Sequence, residues 1–214
     1  MNARPDIWEQ TISGRAFPLA TCGPDDIDLF GDVAQSLARI CRYGGHVPGN
    51  PYSVAQHCVV MADAALDETG DAALAAHCLL HDAHEAYFGD MTTPVAHWLA
   101  ALEVEVFGNS DPHGGVIQTL ISTAKQRLDA VIWRAAAVAE PDRRMRAVIA
   151  DYDIRMLAAE RRMLLMRSPK SWGGAVENAA PLRLRGGLRA WPVAVAADAY
   201  RDRLGRLCPN ARRV

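Results

Sequence analysis

Residues 81–90 read His81-Asp82-Ala83-His84-Glu85-Ala86-Tyr87-Phe88-Gly89-Asp90 and follow the apolar run Ala72-Ala73-Leu74-Ala75-Ala76 closely. Asp and Glu are almost never buried unless they are paired or bound to a metal. Acidic and imidazole side chains at the end of an apolar helix therefore point to a site built inside the protein. Imidazole and carboxylate together suit a divalent transition metal: Zn, Co, Mn, Fe or Ni. His81 and Asp82 are adjacent near a helix end, where both can lean toward one point. Two more ligands must come from other helices. His57 is one candidate, flanked by Val54 and Met61. The other is Asp153, which falls inside the stripe Ile149, Tyr152, Met156 and Leu157, whereas Asp151 falls on the polar side near Ala147, Arg155 and Ala158. Taken singly, His57 and His77 also suit hydrogen-bonded core positions. His77 and His81 stand four apart, but the stretch between them reads H-C-L-L-H and lacks the glutamate of the zinc-protease signature. His97 and His113 are expected to face solvent.

The elements that must position these residues are helical. Phe30, Val33, Leu37 and Ile40 predict a first helix over 25–42, after a loop-like segment 1–24. Ser53 to Gln56 fits a capping box, and Gly70 fits the stop of the helix that carries His57. A third helix is expected from Asp71 to about Tyr87, broken by Gly89-Asp90. Thr93-Pro94 resembles an N-cap followed by proline. Residues 97–120, with Gly108, Asp111-Pro112 and Gly114-Gly115, read as an irregular surface insertion. Helix is expected again over about 116–139. Asp142 caps a long helix to about Arg167, 168–190 form a loop, and Trp191-Pro192 opens a last helix. The tail from Pro209 is expected to fray. The sum is an all-α single bundle of six or seven helices, its domain spanning 25–208 between the N-terminal segment 1–24 and the tail 209–214.

Composition narrows the classes. With 214 residues and a net charge of −2, the chain suits one domain and lacks the electrostatic footprint of a duplex nucleic-acid binder. The arginines Arg143, Arg144, Arg146, Arg161 and Arg162 read as a solvated helix face. No apolar run reaches the roughly 18 residues of a membrane span. Cys22, Cys41, Cys58, Cys78 and Cys208 have no C-x-x-C spacing and read as reduced thiols of a cytoplasmic protein.

The ordered set H…HD…D resembles the HD-domain metal-dependent phosphohydrolases. Arg42-Tyr43, Ser53-Val54-Ala55-Gln56-His57, His81-Asp82-Ala83-His84-Glu85 with Gly89-Asp90 and Thr93-Pro94, then Asp153 with Glu160, resemble the 5′-deoxynucleotidase branch. That branch includes phage-type deoxyadenosine triphosphate triphosphohydrolases, to which Ile12-Ser13-Gly14-Arg15 and Arg42-Tyr43-Gly44-Gly45-His46 are most similar. The likeness is close over 12–95 and loose over 120–205. It implies one divalent cation on His57, His81, Asp82 and Asp153. Glu85 would position and activate water, and Asp90 would support proton transfer. Arg42 would hold phosphate, with Tyr43 or His46 near the sugar, base or phosphate. Lys125 would supply a charge that related sequences carry just after Thr-Pro, where this chain has Ala96-His97. The substrate implied is a small-molecule nucleotide, either a 5′-monophosphate or a triphosphate, with a deoxy sugar. A homo-oligomer is implied as well. The alternative is a metal-retaining, nucleotide-binding regulatory HD protein without useful turnover.

Overall fold

The computed structural model describes residues 6–108 and 115–214. His113, and with it most of the glycine- and proline-bearing centre of the expected insertion, lies outside the described residues. The described chain is an all-α bundle with one small two-stranded ribbon. Its helices are α1 (Ala34–Leu37), α2 (Val54–Thr69), α3 (Ala72–Leu80), α4 (Glu85–Phe88), α5 (Thr93–Phe107), α6 (Val116–Ala135), α7 (Arg143–Met163), α8 (Gly174–Asn178) and α9 (Val193–Leu207).

Helix α3 sits at the centre. Leu74, Ala75, Ala76, Cys78, Leu79 and Leu80 are all buried, so it is apolar on nearly every face and packs against α2, α7 and α9. Burying each such leucine contributes about 1.5–3 kcal/mol relative to leaving it in water. Helix α2 starts and stops as its sequence predicts. The Ser53 hydroxyl accepts from Gln56 N, and Gly70 closes the helix at φ 69°. Asp142 caps α7 by accepting from Met145 N at 2.7 Å.

Other expected elements differ. The segment 1–24 contains an antiparallel pair, β1 (Glu9–Gln10) with β2 (Ala16–Phe17). Phe17 is buried and stacks on Tyr87 with ring centroids 3.8 Å apart. The expected helix 25–42 is a π-helical turn (Leu29–Val33) running into α1, and a separate 3₁₀ turn follows at Arg42–Gly45. Asp28 accepts from Gly31 N at 2.8 Å and fixes that irregular start.

The expected helix from Asp71 to Tyr87 is interrupted at 81–84. There Ala83 N bonds to Leu80 O, and Glu85 N bonds to Asp82 O, both at 3.0 Å. These i→i−3 bonds tighten the winding to about three residues per turn, which aligns residues three apart. Glu85 therefore aligns with Asp82, not with His81 as four-residue spacing in an α-helix would give.

Most of the described part of 97–120 is helical. Glu103, on α5, is buried and accepts from Val116 N (2.6 Å) and Ile117 N (2.9 Å), capping α6 from a distance. Thr92, one residue before the expected Thr93, is the N-cap of α5. Helix α6 ends at Ala135, not 139, because Ala137 adopts φ 53° and Val138 N bonds back to Trp133 O at 3.0 Å. Helix α7 ends at Met163, short of Arg167. The tail is docked instead of frayed: Arg212 N bonds to Ala135 O at 2.9 Å, and Arg213 lies over the Phe30 ring at 4.2 Å. No helix among the described residues is long and apolar enough to cross a membrane.

Candidate metal centre

Three helical segments bring four side chains together around the facing rings of His57 and His81. His57 comes from the second turn of α2, His81 and Asp82 from the tight turn after α3, and Asp153 from the middle of α7. His57 Nε2 stands 3.2 Å from His81 Nε2 and 3.3 Å from Asp153 Oδ1. His81 Nε2 stands 3.1 Å from Asp82 Oδ2. The wider spacings are 3.8 Å for His57 to Asp82 and 3.9 Å for His81 to Asp153. Nitrogen and oxygen ligands at about 2.0–2.2 Å from one ion stand about 3–4 Å from each other, so these separations fit a shared cation. Asp151 lies outside the cluster, exposed, with Arg155 at 3.8 Å.

The hydrogen bonds behind the cluster make the case sharper. The Nδ1–H of His81 donates to the Cys78 carbonyl at 2.8 Å, because a carbonyl only accepts. The Nδ1–H of His57 donates to Glu160 Oε1 at 2.7 Å. Burial opposes ionisation of Glu160, but Arg42, His57 and Tyr43 outweigh it and hold its carboxyl down to about 2. With both Nδ1 positions committed, two neutral imidazoles would turn lone pairs at each other across 3.2 Å. Two carboxylates stand beside them. A cation, or a proton in its stead, removes that conflict. Burial lowers the tendency of His81 to protonate, yet Asp82 and Cys58 raise it well above the ordinary imidazole value. For His57, burial and Arg42 lower it while Glu160 and Asp153 raise it, and the net shift is upward. Burial likewise opposes the charge on Asp82, but His81 and Arg42 hold it well below the usual carboxylate range. The donor set thus fits a divalent cation.

Glu160 is the part of this site to which the sequence assigned no role. It lies seven residues after Asp153, two turns along the same face of α7, and is fully buried. Besides His57 it meets the Tyr43 hydroxyl and Arg42, whose Nε lies 3.4 Å away. Arg42 also reaches Asp82 Oδ2 through Nη1 at 3.2 Å. The guanidinium expected to grip phosphate is therefore bound to two carboxylates of the site. Tyr43 holds φ 60°, a conformation that costs an ordinary residue about 1–2 kcal/mol, and its bond to Glu160 helps to fix it there. Its ring faces Trp172 at 6.0 Å.

No protein-family profile matches the chain. Over 90 residues it is 39% identical to the uncharacterized protein YfdR of Escherichia coli K12, covering 42% of this chain and 47% of that protein. Over 95 residues it is 40% identical to the uncharacterized protein RCAP_rcc00048 of Rhodobacter capsulatus, covering 41% of this chain and 46% of that one. The matches span about half the length of these curated relatives.

The remaining expected residues divide. Glu85 is buried beside the cluster, and burial, then Asp82 and Asp90, push its carboxyl up to about 9. Asp90 is half-buried, and burial chiefly raises it, against Arg42 and Lys125. Lys125, on α6, lies over the Phe88 ring at 5.9 Å, and its charge acts on both acids. His46 is exposed, bonded through its backbone N to Tyr43 O, and is not brought to the cluster. The positive φ of Gly44 (57°) and Gly45 (80°) curls the turn so that only Arg42 and Tyr43 face inward. His77 forms no metal pair with His81; it packs edge-on against Trp133 at 6.4 Å. His97 is exposed.

Proposed function

We propose that the chain is a metal-dependent phosphohydrolase acting on nucleotides, with a deoxy sugar preferred. The observation that carries the metal part is the facing Nε2 pair of His57 and His81, both Nδ1 positions being already committed. The nucleotide part rests on the resemblance of the ordered motifs. His57, His81, Asp82 and Asp153 would hold one divalent cation, which when bound polarises a phosphoryl oxygen and lowers the pKa of bound water.

The chain's own residues account for the proton traffic. Glu85 keeps its proton at neutral pH in the cation-free site, since its carboxyl is pushed up to about 9. Added positive charge acts on it as Arg42 and Lys125 already do, toward release. It can then take a proton from water and return one to the leaving oxygen, with Asp90 as the neighbouring relay. Arg42 keeps Asp82 charged and oriented. Lys125, whose charge already acts on Glu85 and Asp90, would meet phosphate. Tyr43 and Trp172 present ring surfaces suited to a base or sugar.

A regulatory reading has one observation in its favour: Arg42 is already engaged by Asp82 and Glu160. Self-association belongs to the leading reading, and the exposed Trp98, Val106 and Phe107 of α5 support it. The deciding experiment is a metal-by-nucleotide hydrolysis screen on dAMP, AMP, dATP and ATP with product identification. Phosphate from monophosphates, or tripolyphosphate from triphosphates, supports the enzyme. A nucleotide that stabilises the metal-loaded protein yet stays intact supports the regulatory reading.

A further inference from the structure

Two histidines of this fold are held in the same way. His57 donates its Nδ1 proton to Glu160, and His84 donates its Nδ1 proton to Asp129 of α6 at 2.9 Å. A carboxylate behind Nδ1 is the usual support of a metal-binding imidazole, because it fixes the tautomer and turns the Nε2 lone pair outward. His57 uses that lone pair in the cluster described above. His84 Nε2 is buried and has no partner, and so is Glu85 Oε2 beside it. The two residues are only 5% and 4% exposed. A buried polar atom left unpaired costs about 1–3 kcal/mol, so two together call for a common occupant.

The geometry supplies a third donor. One ligand atom each from Asp82, His84 and Glu85 lie within 4.8 Å of one another. The contacts of Asp82 with His81, Arg42 and His57 run through Oδ2, which leaves Oδ1 for another partner. The tight turn at 81–84 is what aligns Asp82 with Glu85. We propose that Asp82, His84 and Glu85, the last through Oε2, form a second divalent-cation site that shares Asp82 with the first and leaves Glu85 Oε1 for the exchange of protons with water. It rests on the metal reading of the first cluster through that shared residue.

The donor set indicates which cation. Two carboxylates and one imidazole suit Mn²⁺ or Mg²⁺, and three protein ligands leave positions for water and for phosphate oxygens of the substrate. The first site has one more protein ligand than the second, so it holds its cation more tightly while keeping a position for water. The second cation therefore binds more weakly and is completed by the nucleotide.

The test is Mn²⁺ titration of the chelator-treated full chain by calorimetry, with electron paramagnetic resonance on the same samples. The wild type is expected to show one tight and one weaker site, with spin coupling between the two ions when both are filled. His84→Ala should lose the weaker site and keep the tight one. Asp129→Asn should weaken the weaker site about 10–100-fold, and it tests the same site should His84→Ala fail to fold. His57→Ala should lose the tight site. A single site in the wild type, unchanged in His84→Ala and Asp129→Asn, overturns the second site and leaves the first cluster intact. Two sites in the wild type that persist in both variants overturn the assignment of ligands. No Mn²⁺ binding at all overturns both readings.

Discussion

Glu160 accepts the Nδ1 proton of His57 across 2.7 Å, and neither side chain is exposed. Arg42 and Tyr43 complete the surroundings of the same carboxylate. The residue therefore links the 3₁₀ turn, α2 and α7 behind the histidine–aspartate cluster.

Its titration makes stability depend on acid. The folded carboxyl sits at about 2 against an ordinary 4.5, a depressed value, so its contribution is fully present above pH 4.5 and is lost as pH falls through 2. A shift of that size corresponds to about 3 kcal/mol. Urea midpoints measured between pH 6 and pH 2 should fall across that window in the wild type. Glu160→Gln should start lower and fall less steeply. Parallel curves would remove Glu160 from the acid response.

Arg42→Met strands Asp82 and Glu160 without their common counter-charge. Breaking a buried pair from one side typically costs about 3–5 kcal/mol. The loss should be large in chelator-treated protein and should shrink when Zn²⁺ or Mn²⁺ is saturating, because a cation replaces the missing charge at Asp82. Equal losses with and without metal, measured by thermal melts, would place Arg42 outside the cluster's electrostatics.

Glu85→Gln preserves shape and hydrogen-bonding capacity but removes the proton-accepting carboxylate. Turnover should drop by about 10²–10⁴-fold while the four-ligand site keeps its cation. Hydrolysis at the wild-type rate would show that the carboxylate is not the base.

The thiols report on packing. Cys58, Cys78 and Cys208 are buried, and burial raises Cys78 to about 12 and Cys208 to about 11. At pH 8, thiol titration of the native protein should count no more than two fast sites, Cys22 and Cys41. All five should react after denaturation. Fast reaction of a third thiol would contradict the packing of α2, α3 or α9.

Ala137 closes α6 in a left-handed conformation that favours glycine, at φ 53°. Ala137→Gly should stabilise the fold by up to about 1 kcal/mol, since the strain of a Cβ at that angle is larger than the entropy glycine adds to the unfolded chain. A lower melting temperature would refute that balance.

Sequence pattern carried the parts of this architecture that depend on neighbours a turn apart. The caps Ser53, Gly70 and Asp142 announce themselves by residue type. His57 and Asp153 were legible because each polar side chain interrupts a buried stripe, and the structure brings both to His81 and Asp82. What was not legible depends on partners far along the chain. Two-residue strands are too short to leave a pattern. Glu103 caps α6 from another helix, so the 97–120 stretch lacked an ordinary start signal. Ala137 ends a helix where no glycine warns of it. Glu160 and the His84–Asp129 pair acquire meaning only once α6 and α7 pack beside the tight turn. The family resemblance implied Tyr43 or His46 near the substrate, but the curl of the turn leaves His46 exposed.

The distances along the chain give the site a place in the order of folding. His57, His81 and Asp82 are close in sequence, but His57 and Glu160 are 103 residues apart, and Gln56 clasps the backbone of Arg189 and Trp191 from 133 and 135 residues away. Contacts of such long range form after local helices, because loop closure must come first. A nascent chain that has not yet reached α7 carries two imidazoles and one carboxylate, but neither Asp153 nor the carboxylate that sets the His57 tautomer. Tight cation capture by this cluster would thereby be deferred to nearly finished molecules, and a bound ion would act as a late lock on the assembled bundle, not as a nucleus around which it condenses.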